Sequence, residues 1–271
     1  MPELPEVETT RRGIAVAVTG QTILTVRVRE RRLRWSVAPS FEREVAGQAV
    51  TAVLRRAKYL LLVLERGTVL VHLGMSGSLR LVAPDANYKT HDHVEFVLGN
   101  GLALRFNDPR RFGSLHFISG DVHLHPLLAD LGPEPLASDF TGPYLHGRSR
   151  HRRIAIKQFI MDGHVVVGVG NIYASEALFR AGIRPGRAAG RLSVADSERL
   201  VGAIRAVLGA AIESGGTTLR DYVNADGLPG YFRQRLYVYE RAGEACRTCQ
   251  TPIRSRVQGG RATYWCPTCQ R

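Results

Sequence analysis

The chain has 271 residues, 44% hydrophobic and 23% charged, a globular composition with length for one large or two ordinary domains. Its 37 lysines and arginines against 24 acids leave a formal net charge of +13, which suits a polyanionic partner, most simply nucleic acid. No apolar run is long enough to span a bilayer as a helix, and the acidic start lacks the apolar core of a secretion signal, so a cytoplasmic protein is expected. Lysine occurs only at Lys58, Lys89 and Lys157, so the other 34 cations are arginine. Arginine binds phosphate through a planar fork and stacks on bases.

The opening "MPELPEVETT" predicts a helix. Pro5 suits a first helical turn, Glu6 and Glu8 offset its dipole, and Arg11 and Arg12 follow. That pattern leaves Pro2 unexplained. Residues 21–118 read mostly as strands: "TVRVRE" and "HVEFVL" alternate apolar with charged residues, while "KYLLLVLE" and "TVLVHL" are apolar enough for burial on both faces. Several strands at short spacing predict a sandwich or barrel.

From about residue 121 the texture changes. "GPEPLASDF" is a turn-rich connector, and "IAIKQFIMDG" and "NIYASEALFRAG" carry helical spacing. In "SVADSERLVGAIRAVLGAAIESGG", Ser193 can cap a helix with Asp196 three residues on, and Gly215 and Gly216 follow its end. A glycine-bearing polar loop comes next. The expected organisation is α+β and multidomain: residues 1–131 a β-sandwich with an N-terminal helix, 132–236 a connector and helical domain, and 237–271 a cysteine-bearing hairpin.

All four cysteines lie in that tail, as Cys246-x2-Cys249, sixteen residues, then Cys266-x2-Cys269. Two close pairs around a hairpin-length insert are what tetrahedral Zn²⁺ needs. A redox dithiol is the alternative reading. Four thiolates leave no open coordination position, so the one zinc expected here is structural rather than catalytic. "QGG" can close the hairpin, and Arg254, Arg256 and Arg261 lie on it, which suits phosphate contact.

Several motifs then converge in order: "PELPEVET", "RRAKYLL", "HLGMSGSL", "DPRRFG", "GVGNIYASEALF" and the terminal cysteine pairs. Together they resemble the bacterial formamidopyrimidine-DNA glycosylase family, from residue 2 to residue 269. The resemblance implies an N-terminal β-sandwich, a helix–two-turn–helix domain and a zinc finger, with DNA in the cleft between the domains. It implies base-excision repair: removal of oxidised purines such as 8-oxoguanine opposite cytosine, and of formamidopyrimidines, followed by β,δ-elimination. The partner would be double-stranded DNA carrying oxidised bases, met by a monomer.

Residue by residue, the resemblance makes Pro2 the nucleophile. Loss of Met1 would free a secondary amine that titrates near ~8, against ~10.4 for lysine. More of it is therefore unprotonated and nucleophilic at neutral pH. Glu3 becomes the proton-transfer partner, and Lys58 and Arg261 complete the catalytic set as phosphate and lesion-site contacts. Glu6 and Lys157 support the site, although helix capping explains Glu6 as well. His91, Arg111 and Asn171 become phosphate contacts. A glycosylase must extrude its target base and fill the hole. Met75, Arg110 and Phe112 occupy the void-filling positions, with Arg110 facing the orphan cytosine; core packing is the plain alternative for Met75 and Phe112. "HDH" at 91–93 superficially suggests a metal site. The loop from Thr217 to Tyr222 matches the segment that closes over the extruded base. An endonuclease VIII-like glycosylase for oxidised pyrimidines and a non-catalytic zinc-ribbon DNA binder are the competing readings.

Overall fold

The computed structural model describes residues 2–216 and 236–271. Contacts divide the chain into two compact units: Met1–Ala129 with the described residues at 214–216, and Asp130–Glu213 with 236–271.

The first unit opens with α1 (Leu4–Val18). Leu4, Val7, Ile14 and Val18 recur at helical spacing and are fully buried, so one stripe of α1 faces the core. Strands β1 (Ile23–Val28), β2 (Val50–Arg56), β3 (Tyr59–Leu64), β4 (Gly67–His72), β5 (Ser78–Val82), β6 (Asp92–Leu98), β7 (Ala103–Asn107) and β8 (Ser114–Ile118) follow, with the short helix α2 (Phe41–Val45) after β1. They form two four-stranded antiparallel sheets, ordered β1-β6-β7-β5 and β2-β3-β4-β8. Inward residues of both sheets, among them Val26, Val53, Leu62, Val69, Phe96 and Phe106, make one apolar core, to which Val7 and Ile14 of α1 belong. The expected sandwich is present. β3 and β4 are buried on both faces, as their apolar runs predict: Leu60, Leu61, Leu62, Val69, Leu70 and Val71 are all nearly inaccessible.

The two alternating strands differ from simple expectation. In β1, Ile23 and Val26 both point inward, three residues apart, because the pairing with β6 shifts register between Ile23 and Thr25. In β6 the polar face is not solvated. Glu95 is buried, accepts from Arg27 at 2.8 Å, Arg105 at 2.5 Å and the Tyr88 hydroxyl at 2.8 Å, and closes a polar layer across the sheet. Arg29 and Arg105 flank the Tyr88 ring at 4.0 and 4.1 Å, so the chain at 84–89 folds back over that face.

The second unit carries α3 (Gly142–Ser149), α4 (Ile156–Ile160), α5 (Asn171–Arg180) and α6 (Val194–Glu213), then the hairpin β9 (Arg254–Gln258) and β10 (Arg261–Trp265). The expected cap of α6 is present in both directions: the Asp196 amide donates to Ser193 Oγ and the Ser193 amide to Asp196 Oδ2, each at 3.0 Å. Gly182 is left-handed and ends α5, its amide donating to Phe179 O and the next amide to Leu178 O. Gly259 and Gly260 are both left-handed, which the two-residue turn between β9 and β10 requires. The chain end docks on the α5 exit: Arg271 donates to Gly182 O, and Arg184 donates to Arg271 O.

Candidate active site

In the first unit, Pro2 is buried and lies directly ahead of α1. Glu3 and Glu6 are each about as buried, at 2% exposure. Glu6 Oε2 accepts the Glu3 amide at 2.8 Å, so the capping role is real. A Cβ on left-handed Gly216 would stand 3.1 Å from Glu6 Oε1, so bare backbone lies over this carboxylate. Glu8, two residues on, binds Arg11, Arg12 and Arg55. Burial pushes its carboxyl up, but hydrogen bonds from Arg11 and Arg12 and the charges of Arg11 and Arg55 outweigh that and hold it below the ordinary value. Arg55 also donates to Ala57 O at 2.9 Å. One guanidinium thus ties the start of α1 to the β2–β3 turn that carries Lys58.

Lys58 is half-buried beside left-handed Ala57, and its charge reaches His72 at the end of β4. The His72 imidazole is pushed down to about 4, first by burial and then by the charges of Lys58 and Arg34. Its neutral Nδ1 accepts the Gly74 amide at 3.0 Å and so begins the turn presenting Met75. Met75 is 36% exposed and Phe112 42% exposed, so neither is core, and the packing alternative fails for both. The two turns touch backbone to backbone: a Cβ on Gly74 would lie 2.4 Å from Gly113 N and 2.5 Å from Phe112 C. Arg110 sits over the Phe112 ring at 5.0 Å, and Arg111 pairs with Glu30 at 3.2 Å. His91 and Arg111, like Ala57, hold left-handed backbone without being glycine, a conformation that costs energy and clusters at functional sites.

The "HDH" pair is not a metal site. The His91 and His93 rings stand 5.9 Å apart, His93 Nε2 bonds the Asp108 carbonyl at 2.8 Å, and among the described residues only the four cysteines form a ligand cluster. Asp108, which sequence reasoning passed over inside "DPRRFG", is fully buried. Oδ1 accepts from Ser76 Oγ at 2.9 Å and the Arg110 amide at 3.3 Å, and Oδ2 accepts the Gly113 amide at 2.7 Å. An aspartate between an apolar strand and a Pro-Arg-Arg turn was the available signal.

In the second unit lies Lys157, expected as a supporting residue of the site. It is 1% exposed, and Nζ donates to Asn171 Oδ1 at 2.6 Å, Ala262 O at 3.0 Å and Thr263 Oγ1 at 2.9 Å. A buried ammonium must be satisfied this way. Lys157 therefore acts as a joint between α4, the first residue of α5 and the zinc-finger hairpin. It also borders a depression of about 230 Å³ with Gln158 and Arg261. Asn171 is half-buried at a helix start, where amides face outward, and Arg261 is exposed. Glu176, also missed, accepts the amides of Tyr237, Val238 and Tyr239 and so fixes the entry to the finger; burial pushes its carboxyl up.

The four cysteine sulfurs lie within 4.8 Å of one another, with Cys246–Cys269 at 3.9 Å and Cys249–Cys266 at 3.4 Å. Tetrahedral Zn–S bonds of about 2.3 Å put sulfurs about 3.8 Å apart, so the donor set fits the metal. The amides of Thr248 and Cys269 point at Cys246 and Cys266 sulfur, each at 3.4 Å, as thiolates require. The Thr217–Tyr222 segment lies outside the described residues.

Three family models match the chain in sequence: the formamidopyrimidine-DNA glycosylase N-terminal domain over residues 1–115, its H2TH domain over 131–223, and a zinc finger found in FPG and IleRS over 243–271. Curated formamidopyrimidine-DNA glycosylases from Thioalkalivibrio sulfidiphilus and Marinobacter nauticus are 61% and 57% identical over 271 residues, covering 100% of both chains in each case. Among solved structures, the MutM (Fpg) protein of Thermus thermophilus is 41% identical with a TM-score of 0.89, covering 99% of this chain and 98% of that one. Lactococcus lactis Fpg bound to abasic-site DNA is 33% identical, TM-score 0.91, with 99% of each chain covered. The same enzyme with N7-benzyl-Fapy-dG DNA is 32% identical, TM-score 0.91, with 100% of each covered.

Proposed function

Because the chain belongs to the formamidopyrimidine-DNA glycosylase family, DNA glycosylases of base-excision repair, we propose that it excises oxidised purines from duplex DNA and then cleaves the abasic strand. Its substrates are 8-oxoguanine opposite cytosine and formamidopyrimidines. Pro2, exposed as a secondary amine once Met1 is removed, attacks the sugar C1′ carbon. The C1′–base bond breaks and the base leaves with the amine proton; the C1′–O4′ bond then opens with O4′ taking a proton from Glu3, and a cationic iminium forms between C1′ and the Pro2 nitrogen. That iminium withdraws electrons, so the adjacent sugar proton becomes acidic. Its loss expels the 3′ phosphate, and a second elimination expels the 5′ phosphate.

The observation that carries this reading is the buried Pro2-Glu3 pair at the α1 start, with Glu6 holding the Glu3 amide. Glu3 is the adjacent proton carrier. Lys58, His91, Arg111, Asn171 and Arg261 grip phosphates, and exposed Met75, Arg110 and Phe112 fill the vacated stack. Lys157 and Glu6 support these from behind. One structural Zn²⁺ on Cys246, Cys249, Cys266 and Cys269 orders the Arg261 hairpin, and no chemical step passes through it. The reading carries with it a monomer working in the cytoplasm; no described helix is long and apolar enough to cross a membrane.

The test is borohydride trapping on duplex DNA with 8-oxoguanine opposite cytosine. A covalent adduct is expected, and Pro2→Gly should lose it. No adduct from folded protein confirmed to lack Met1 would overturn the lyase assignment. Stronger trapping on an oxidised pyrimidine would overturn the purine one.

A further inference from the structure

We propose that Asp108 is the positioning residue that makes the two void-filling turns act as one rigid wedge. Its carboxylate is 0% exposed and spans both turns: Ser76, next to Met75, donates to Oδ1, and Gly113, next to Phe112, donates to Oδ2. The Arg110 amide adds a third donor, on Oδ1. The Asp108 backbone extends the hub. Its carbonyl accepts from the Arg111 amide at 3.2 Å and meets His93 Nε2, and its amide donates to His91 O at 3.1 Å. One side chain and its own peptide groups therefore hold the segments bearing Met75, Arg110, Arg111, Phe112 and His91.

The chemistry explains why the residue is an aspartate. Three donors converge on it from different segments, and a carboxylate offers two oxygens that only accept. Charge-assisted bonds of this kind are short and directional. An asparagine can still serve Gly113 with its oxygen and meet Ser76 through its amide, because a hydroxyl also accepts. It must then leave the Arg110 amide facing a donor. The bare contact between Gly74 and Gly113 lets the turns approach closely enough for one carboxylate to reach both. Asp108 has no part in bond breaking. Its effect is confined to steps that need the wedge in place, namely extrusion of a base from duplex DNA and recognition of the orphan base.

This inference rests on the glycosylase reading, and the experiment separates the two. Full-length wild type, Asp108→Ala, Asp108→Asn and Ser76→Ala are compared on two substrates: duplex 8-oxoguanine opposite cytosine or adenine, and single-stranded DNA with an abasic site, which has no stack to fill. Asp108→Ala should lose about 10–100-fold in duplex excision, the scale of a displaced positioning group, and lose discrimination between cytosine and adenine. Single-stranded abasic cleavage should stay within about twofold. Asp108→Asn should recover most of the loss, and Ser76→Ala should fall part-way toward Asp108→Ala. Equal losses on both substrates at unchanged Tm and zinc content would overturn the wedge role, as would full duplex activity in Asp108→Ala. If Asp108→Ala does not fold, Ser76→Ala decides by the same two rates. Wild type inactive on both substrates would instead count against the glycosylase reading.

Discussion

His72 shows how a single group can join folding to the site. Burial, with the charges of Lys58 and Arg34, takes its imidazole from an ordinary 6.5 down to about 4, and the neutral ring accepts the Gly74 amide. As pH falls, the unfolded chain takes up this proton near 6.5, while the folded chain waits until about 4. The contribution is therefore complete above about pH 6.5 and is lost between there and about pH 4. The full swing is ~3 kcal/mol. Urea midpoints across that window should show the loss, and His72→Asn, which keeps an acceptor and cannot titrate, should flatten it. At this scale the sequence was legible where chemistry is local. The cysteine cluster could be read from its own spacing, whereas the roles expected of Pro2 and Glu3 came only with the family resemblance. Lys157 could not be read this way, because its three acceptors lie 14, 105 and 106 residues away, and "AIKQFI" gives no sign of them. Asp108 was hidden in the same way, since two of its donors come from other parts of the chain or turn.

Among the elements, helices announced themselves through caps and glycines: Ser193 with Asp196 at the start of α6, and Gly215 beyond its end, left-handed as a stop requires. Strand polarity was harder to read. "HVEFVL" alternates, yet Glu95 is as buried as Phe96, because Arg27, Arg105 and Tyr88 are brought over it from elsewhere. Alternation reports which face meets apolar core; it cannot report whether the other face is covered. Under the proposed zinc site, the β9–β10 hairpin is the element that would depend most on the metal. Its small apolar centre is Val238, Cys246, Ile253 and Cys266, too little to order a ribbon alone. Removal of Zn²⁺ should cut DNA affinity by about tenfold or more, while the rate on saturating DNA shows no dependence on added metal. Affinity unchanged after measured loss of zinc would refute that dependence.

For the molecule as a whole, the excess charge is the bulk property that function uses. Many of the arginines are already committed, Arg105 to Glu95, Arg80 to Asp92, and Arg11 and Arg55 to Glu8. Those acids are already subtracted in the +13, so it is this excess, and not the 37 cations, that remains for a polyanion. Lys58, Arg111 and Arg261 as phosphate contacts give a slope of about −3 for log affinity against log salt. Arg261→Gln should reduce that slope by about 1 and weaken all sequences alike. A slope unchanged by the substitution would remove Arg261 from the phosphate set. The division into a β unit and a helical unit was readable from the change of texture near residue 121, because local periodicity and turn residues carry it.

The scarcity of lysine has a further consequence for selectivity. An abasic sugar presents an aldehyde, and any unprotonated primary amine within reach can condense with it. Most basic DNA-binding proteins carry many such competitors. Here arginine supplies nearly all the positive charge, and guanidinium does not condense at neutral pH. Of three lysines, Lys157 is sealed and bonded. If Pro2 is the nucleophile proposed above, only Lys58 and Lys89 remain as side-chain rivals to it, and an abasic aldehyde would meet almost a single address.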